Sequence, residues 1–196
     1  MGNAGANRGD IAVWDWFVRV FHWAAVALVA MAFLSPDDKA LHEPVGYAVM
    51  GLVLARLVWG VIGSRHARFT DFVARPVTVL AYLRELWSGR VRRYLGHNPA
   101  GGAMVLALLA TLATVTVSGW MSETDRFFGV EWVSQLHRLS TDVLVGLIGC
   151  HLLGVLVASV LHRENLIVAM ITGRKPALLQ HEHESRAAVS SSDGAD

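Results

Sequence analysis

The fold class predicted for this chain is an all-α membrane protein, a four-helix transmembrane bundle, and three observations carry it. Of the 196 residues, 54% are hydrophobic and only 17% charged, too apolar for a soluble domain of that size. Four runs, at about residues 14–34, 44–63, 101–121 and 139–161, reach the roughly 20 residues needed to cross about 30 Å of hydrocarbon. None shows the alternation of a membrane barrel, so each must satisfy its backbone groups as a helix.

The first run is read as a span. "ALVAMA" before Phe33 resembles a small-residue cleavage site, but Asp10 and Asp15 accompany Arg8 and Arg19 ahead of an apolar stretch of full spanning length. The second run follows "SPDDKALHE", which sets His42 at its head, and it carries Gly46, Gly51 and Arg56. Between the second and third runs stand Arg65, Arg68, Arg75, Arg84, Arg90, Arg92 and Arg93. Within that connection "PVTVLAYLRELW" has apolar residues at helical spacing, as an amphipathic segment lying along the membrane surface would. The third run is entered through "YLGHNPAGG" and left through the acidic "SETDRFFGVE"; the fourth is led by His137 and carries His151. Residues 1–176 form the transmembrane domain, and 177–196, rich in Ser, Ala and Asp, are expected to be a disordered tail.

Basic residues are retained on the cytoplasmic side of short loops, so the arginine-rich connection, Arg163, Arg174 and Lys175 are expected inside. The acidic connections are expected outside, and both termini in the cytoplasm. The net charge of +1 conceals this asymmetry, whose simplest meaning is topology rather than a nucleic-acid surface. The single cysteine, Cys150, excludes a disulfide, a Cys-pair metal site and covalent C-x-x-C-H haem attachment.

The histidines point to chemistry. His137 and His151 are fourteen residues apart, a rise of about 21 Å and nearly four turns, so they share a face at two depths. Metal–imidazole bonds are about 2 Å long, so the two cannot share one ion. Each needs a partner at its own depth: His42, heading the second span outside, for His137, and His22, two turns into the first span from inside, for His151. Two bis-histidine sites at different depths of a helical bundle suit b-type haem, whose iron takes two axial imidazoles. Gly46, Gly51, Gly146, Gly149 and Gly154 either let the flat rings approach or serve helix packing. Arg56, fourteen residues after His42, is level with the inner site and would pair a haem propionate, the alternative being that it snorkels to the interface. His97 either lines a site near the inner haem or caps the third helix; His66, His162, His181 and His183 receive no role.

The chain resembles the prokaryotic cytochrome b561 family, which is related to the b-type cytochrome subunit of membrane-bound nickel-iron hydrogenases. The resemblance spans about residues 12–176 and rests on "VWDWFVRVFHW", "HEPVGY", "RLVWGVIGSRHARF", "YLGHNPAGG", "SGWM" and the fourteen-residue histidine pair. It implies four spans, two haem b groups ligated by His22, His42, His137 and His151, and electron exchange with membrane quinone in a respiratory chain. A periplasmic c-type cytochrome or a hydrogenase is the implied partner, and in one branch the substrate is superoxide. Asp15, Arg19 and His97 are candidates for a quinone pocket. The competing readings are a stand-alone superoxide:quinone oxidoreductase, with Lys39, Arg126 and Arg138 attracting the anion, and a haem-free metal-binding or transport protein using His42 and His137 with Glu43 or Glu131.

Overall fold

The computed structural model describes residues 10–88, 94, 96–162 and 164–176. A short strand β1 (Asp10–Ala12) leads into α1 (Trp16–Leu34) and α2 (Lys39–Ile62). Two short helices, α3 (Phe69–Phe72) and α4 (Pro76–Trp87), precede α5 (Pro99–Ser122) and α6 (Glu131–His162). The last elements are α7 (Leu166–Thr172) and a second strand β2 (Arg174–Pro176).

Among the described residues, helices α1, α2, α5 and α6 are the four long and apolar enough to cross a membrane, and most of their side chains face outward, as lipid contact requires. Three of the four begin or end beyond the apolar runs that mark them. Hydropathy locates the oily centre, whereas backbone hydrogen bonding continues until a cap stops it. Asp15 accepts from Val18 N at 2.8 Å, Asp38 from Leu41 N at 3.3 Å and Asn98 from Gly101 N at 2.6 Å. Each such cap contributes about 1 kcal/mol. The cap of α5 is therefore Asn98, with Pro99 at its first turn, and not His97.

Helix α5 packs on both α2 and α6, and α1 on α2, while α4 leans on α5 through its buried Tyr82. Polar side chains on α5 stay inside by turning back on their own helix: Thr116 Oγ1 donates to the Leu112 carbonyl at 2.9 Å and Ser118 Oγ to the Thr114 carbonyl at 2.7 Å. An apolar cluster of Val49, Val53, Leu112 and Leu144 fills the middle of the bundle.

The two strands were not foreseen. β1 and β2 pair antiparallel, Asp10 opposite Pro176 and Ala12 opposite Arg174, joining the segment before α1 to the segment after α7 at one end of the bundle. Gly173, with φ of 77°, ends α7 in the left-handed region, and its carbonyl accepts from Val13 N at 2.9 Å and Trp14 N at 3.1 Å. The tail expected at 177–196, with His181 and His183, and the side chain of His162 lie outside the described residues.

Candidate haem-binding site

Four half-buried histidines meet two by two. His42, in the first turn of α2, faces His137, in the second turn of α6, with ring centroids 6.3 Å apart. His22 on α1 faces His151 towards the far end of α6, with centroids 6.4 Å apart. The distance is a test of fit. A metal–imidazole bond of about 2 Å plus about 1.2 Å from the coordinating nitrogen to the ring centre would put two imidazoles on opposite sides of one metal about 6.4 Å apart, centre to centre. Both pairs meet it. The apolar cluster lies between them, since Val49 and Val53 follow His42 along α2 and Leu144 falls midway between His137 and His151.

The space beside the rings agrees. A Cβ built on Gly46, Gly51, Gly146, Gly149 or Gly154 meets no atom within 4 Å, so these glycines do not serve close helix packing here. A cavity of about 550 Å³ opens beside the first pair, lined among others by His42, His137, Gly46, Gly119 and Thr141. Helix α6 is packed against α5, leaving its other flank for the histidine pairs to reach α1 and α2.

The ring nitrogens away from the pairs have defined partners at one end. His42 Nδ1–H donates to the Ala32 carbonyl at 3.2 Å, and His137 Nδ1–H to the Val115 carbonyl at 3.0 Å with Ser118 Oγ 3.3 Å away. Donation from Nδ1 leaves Nε2 as the nitrogen free to bind a metal. Ser118, which is fully buried, and Gly119, where a Cβ would lie 3.1 Å from His137 Cε1, shape this seat. Neither residue is singled out by periodicity or spacing, and the only signal is the "SG" of "SGWM", two small residues at that depth.

At the other end Arg56 does not snorkel. It is 3% exposed; its Nη2 donates to the Ala67 carbonyl at 3.0 Å, and its guanidinium lies 5.2 Å from the centre of the Phe69 ring. Its Nη1 is buried with no partner among the described residues, as are His22 Nδ1, His97 Nδ1 and Arg19 Nε. A guanidinium nitrogen left over in this way fits a carboxylate.

The three candidates for a quinone pocket also gather here, with different duties. Asp15 is occupied structurally, accepting from Val18 N, from Trp59 Nε1 at 3.0 Å and from Ser64 Oγ. Burial alone would raise its pKa, but these three donors and the nearby Arg56 hold it below the usual carboxylate value. Arg19 Nη2 donates to the Ile171 carbonyl. His97 is held between the rings of Trp14 and Phe72, at 4.6 Å and 4.7 Å. Burial, and then the charges of Arg56 and Lys175, push its pKa down to about 4, so it is neutral near pH 7.

Comparison with known proteins agrees with the motifs. The family described as prokaryotic cytochrome b561 matches residues 13–173. The chain is 29% identical over 161 residues to a probable Ni/Fe-hydrogenase B-type cytochrome subunit of Azotobacter vinelandii, covering 67% of this chain and 65% of that protein. A protein of the same description from Azotobacter chroococcum mcd 1 is 29% identical over 162 residues with the same coverage. A third, from Cupriavidus necator, is 25% identical over 206 residues, covering 80% of this chain and 83% of that protein. The chain thus spans just under two thirds of the length of the two Azotobacter proteins.

Proposed function

The chain belongs to the prokaryotic cytochrome b561 family, and from that premise we propose that it is a multi-pass membrane electron-transfer protein holding two haem b groups. One is held by His42 and His137, the other by His22 and His151. The observation that carries this is the matched separation of the two pairs, 6.3 Å and 6.4 Å, at the spacing two imidazoles need to grip one metal. Haem b, when bound, supplies the reversible one-electron couple of its iron.

The chain supplies the rest. Two histidines per site would hold the iron from both sides and leave it no open position, which favours electron transfer over binding of a gas or a substrate at the metal. The Ala32 and Val115 carbonyls fix the tautomers of His42 and His137. Arg56, whose Nη1 has no partner among the described residues, would hold a propionate at the second site. Val49, Val53, Leu112 and Leu144 exclude water between the two.

Electrons pass between a redox partner at the His42–His137 end, which the charge pattern assigns to the outside, and quinone in the bilayer at the His22–His151 end, both termini being cytoplasmic. The partner is a c-type cytochrome or a hydrogenase, the latter suggested by the names of the similar proteins. For the proton that quinone chemistry needs, His97 is the best placed of the three candidates, because its Nδ1 is buried with no partner among the described residues whereas the Asp15 carboxylate is already occupied.

The superoxide reading asks for loose positive charge at the outer mouth. Two of the three cations named for it are engaged, Lys39 with Glu123 at 3.1 Å and Arg138 with Glu131 at 3.2 Å, while Arg126 lies over the Phe127 ring, which favours the conduit. Against the haem-free reading, the described residues contain no group of three or more His, Cys, Asp or Glu side chains able to hold a metal ion. The test is haem content. Purified protein should show a reduced-minus-oxidised b-type spectrum and two haems per chain, with His22→Ala, His42→Ala, His137→Ala and His151→Ala each removing one. Haem content that survives all four changes overturns the assignment. Reduction by superoxide alone, as fast as by a cytochrome or hydrogenase partner, overturns the conduit.

A further inference from the structure

The two histidine pairs are not held alike. Both members of the first pair donate Nδ1–H to a backbone carbonyl, His42 to Ala32 at 3.2 Å and His137 to Val115 at 3.0 Å. In the second pair, His22 Nδ1 is buried with no partner among the described residues. An imidazole that shares its N–H with a carbonyl becomes more basic at the opposite nitrogen, and a more basic ligand stabilises the oxidised metal over the reduced one.

Charge acts in the same sense. The cavity beside His42 and His137 is lined by three carboxylates, Glu43, Glu123 and Asp142, against two cations, Lys39 and Arg138. At the opposite end the Arg56 guanidinium is buried, where charge is least screened, and the Asp15 carboxylate near it is already engaged by Val18 N, Trp59 Nε1 and Ser64 Oγ. Negative surroundings resist the arrival of an electron, and positive surroundings favour it.

Resting on the proposed function, we propose that the His42–His137 site is the lower-potential site of the two and the His22–His151 site the higher. An electron held at the first site is then at the higher energy. Backbone carbonyls and the charges around each pair set this order, and His137 is positioned for it by Val115, Ser118 and Gly119 on α5.

The test is a redox titration of the purified full-length protein, followed by absorbance and electron paramagnetic resonance, with haem content measured in parallel. Two one-electron steps are expected. The Gly119→Ala methyl would sit 3.1 Å from His137 Cε1 and 3.3 Å from Nδ1, so the ring must yield and its bond to Val115 loosen. The lower step should move upward while the upper step stays. Trp23→Leu removes a ring lying edge-on to His22 at 5.1 Å and should move the upper step alone. The proposal is overturned if Gly119→Ala shifts the upper step, if Trp23→Leu shifts the lower, or if the wild type titrates as one unresolved step. Should Gly119→Ala shed one haem, the vanished step must be the lower one; loss of the upper is equally fatal. Fewer than two haems in the wild type is a distinct failure, that of the proposed function, and the ordering falls with it.

Discussion

Gly60→Ala should damage the His22–His151 end of the bundle without touching a histidine. A Cβ at residue 60 would lie 2.1 Å from Phe69 Cε2, 2.4 Å from Cζ and 2.6 Å from Cδ2. Carbon atoms pack at about 3.5 Å or more, so the ring must retreat by about 1.4 Å, the difference between the two distances. Overpacking of this kind costs about 1–3 kcal/mol. The same ring lies 5.2 Å from the Arg56 guanidinium, so its retreat also weakens a cation–π contact of about 0.5–2 kcal/mol. Together the loss is about 1.5–5 kcal/mol, a melting point lower by roughly 3–20 °C for a chain of this size. Thermal unfolding in detergent should show that drop, and the double variant Gly60→Ala with Phe69→Leu should recover part of it by giving the methyl room. A Gly60→Ala protein that melts within a degree of wild type would refute the reasoning.

Two further outcomes follow from the same end of the molecule. Asp15→Ala removes the cap of α1 and strands Trp59 Nε1, and should cost about 2–4 kcal/mol in the same unfolding assay. His97 has its folded-state pKa pushed from 6.5 to about 4, so the unfolded chain binds the extra proton first: the stabilisation is complete above about pH 6.5 and is lost as pH falls towards 4, by about 3 kcal/mol at most. Unfolding of His97→Gln compared with wild type between pH 7 and pH 4.5 should show a shallower decline in the variant, and parallel curves would remove His97 as the cause.

Some of this architecture could be read from one dimension. The four spanning helices were legible as apolar runs, because the cost of an unpaired backbone group in hydrocarbon leaves a helix as the only outcome. The fourteen-residue spacings of His137 with His151 and of His42 with Arg56 translate directly into depth, because the rise per residue is constant. Arg56 was expected level with the second histidine pair; what could not be read was its hydrogen bond to the Ala67 carbonyl and its seat on Phe69. The β1–β2 pairing was invisible because "DIA" and "RKP" are each three residues long, too short to carry a period. His97 was open between two roles, and the neighbouring Asn98 took the cap because its short amide reaches Gly101 N.

Sequence alone therefore determined the four candidate spans and the position of each histidine along its helix, both properties of a chain with a fixed rise and a fixed solvent preference per residue. Tertiary structure alone decided the distances between helices: which rings stand 6.3 Å apart, which carbonyls receive His42 and His137, and that the five open glycines border empty space rather than a packed neighbour. Those depend on how closely helices approach, which is set by side chains on several helices at once and leaves no periodic trace in any one of them.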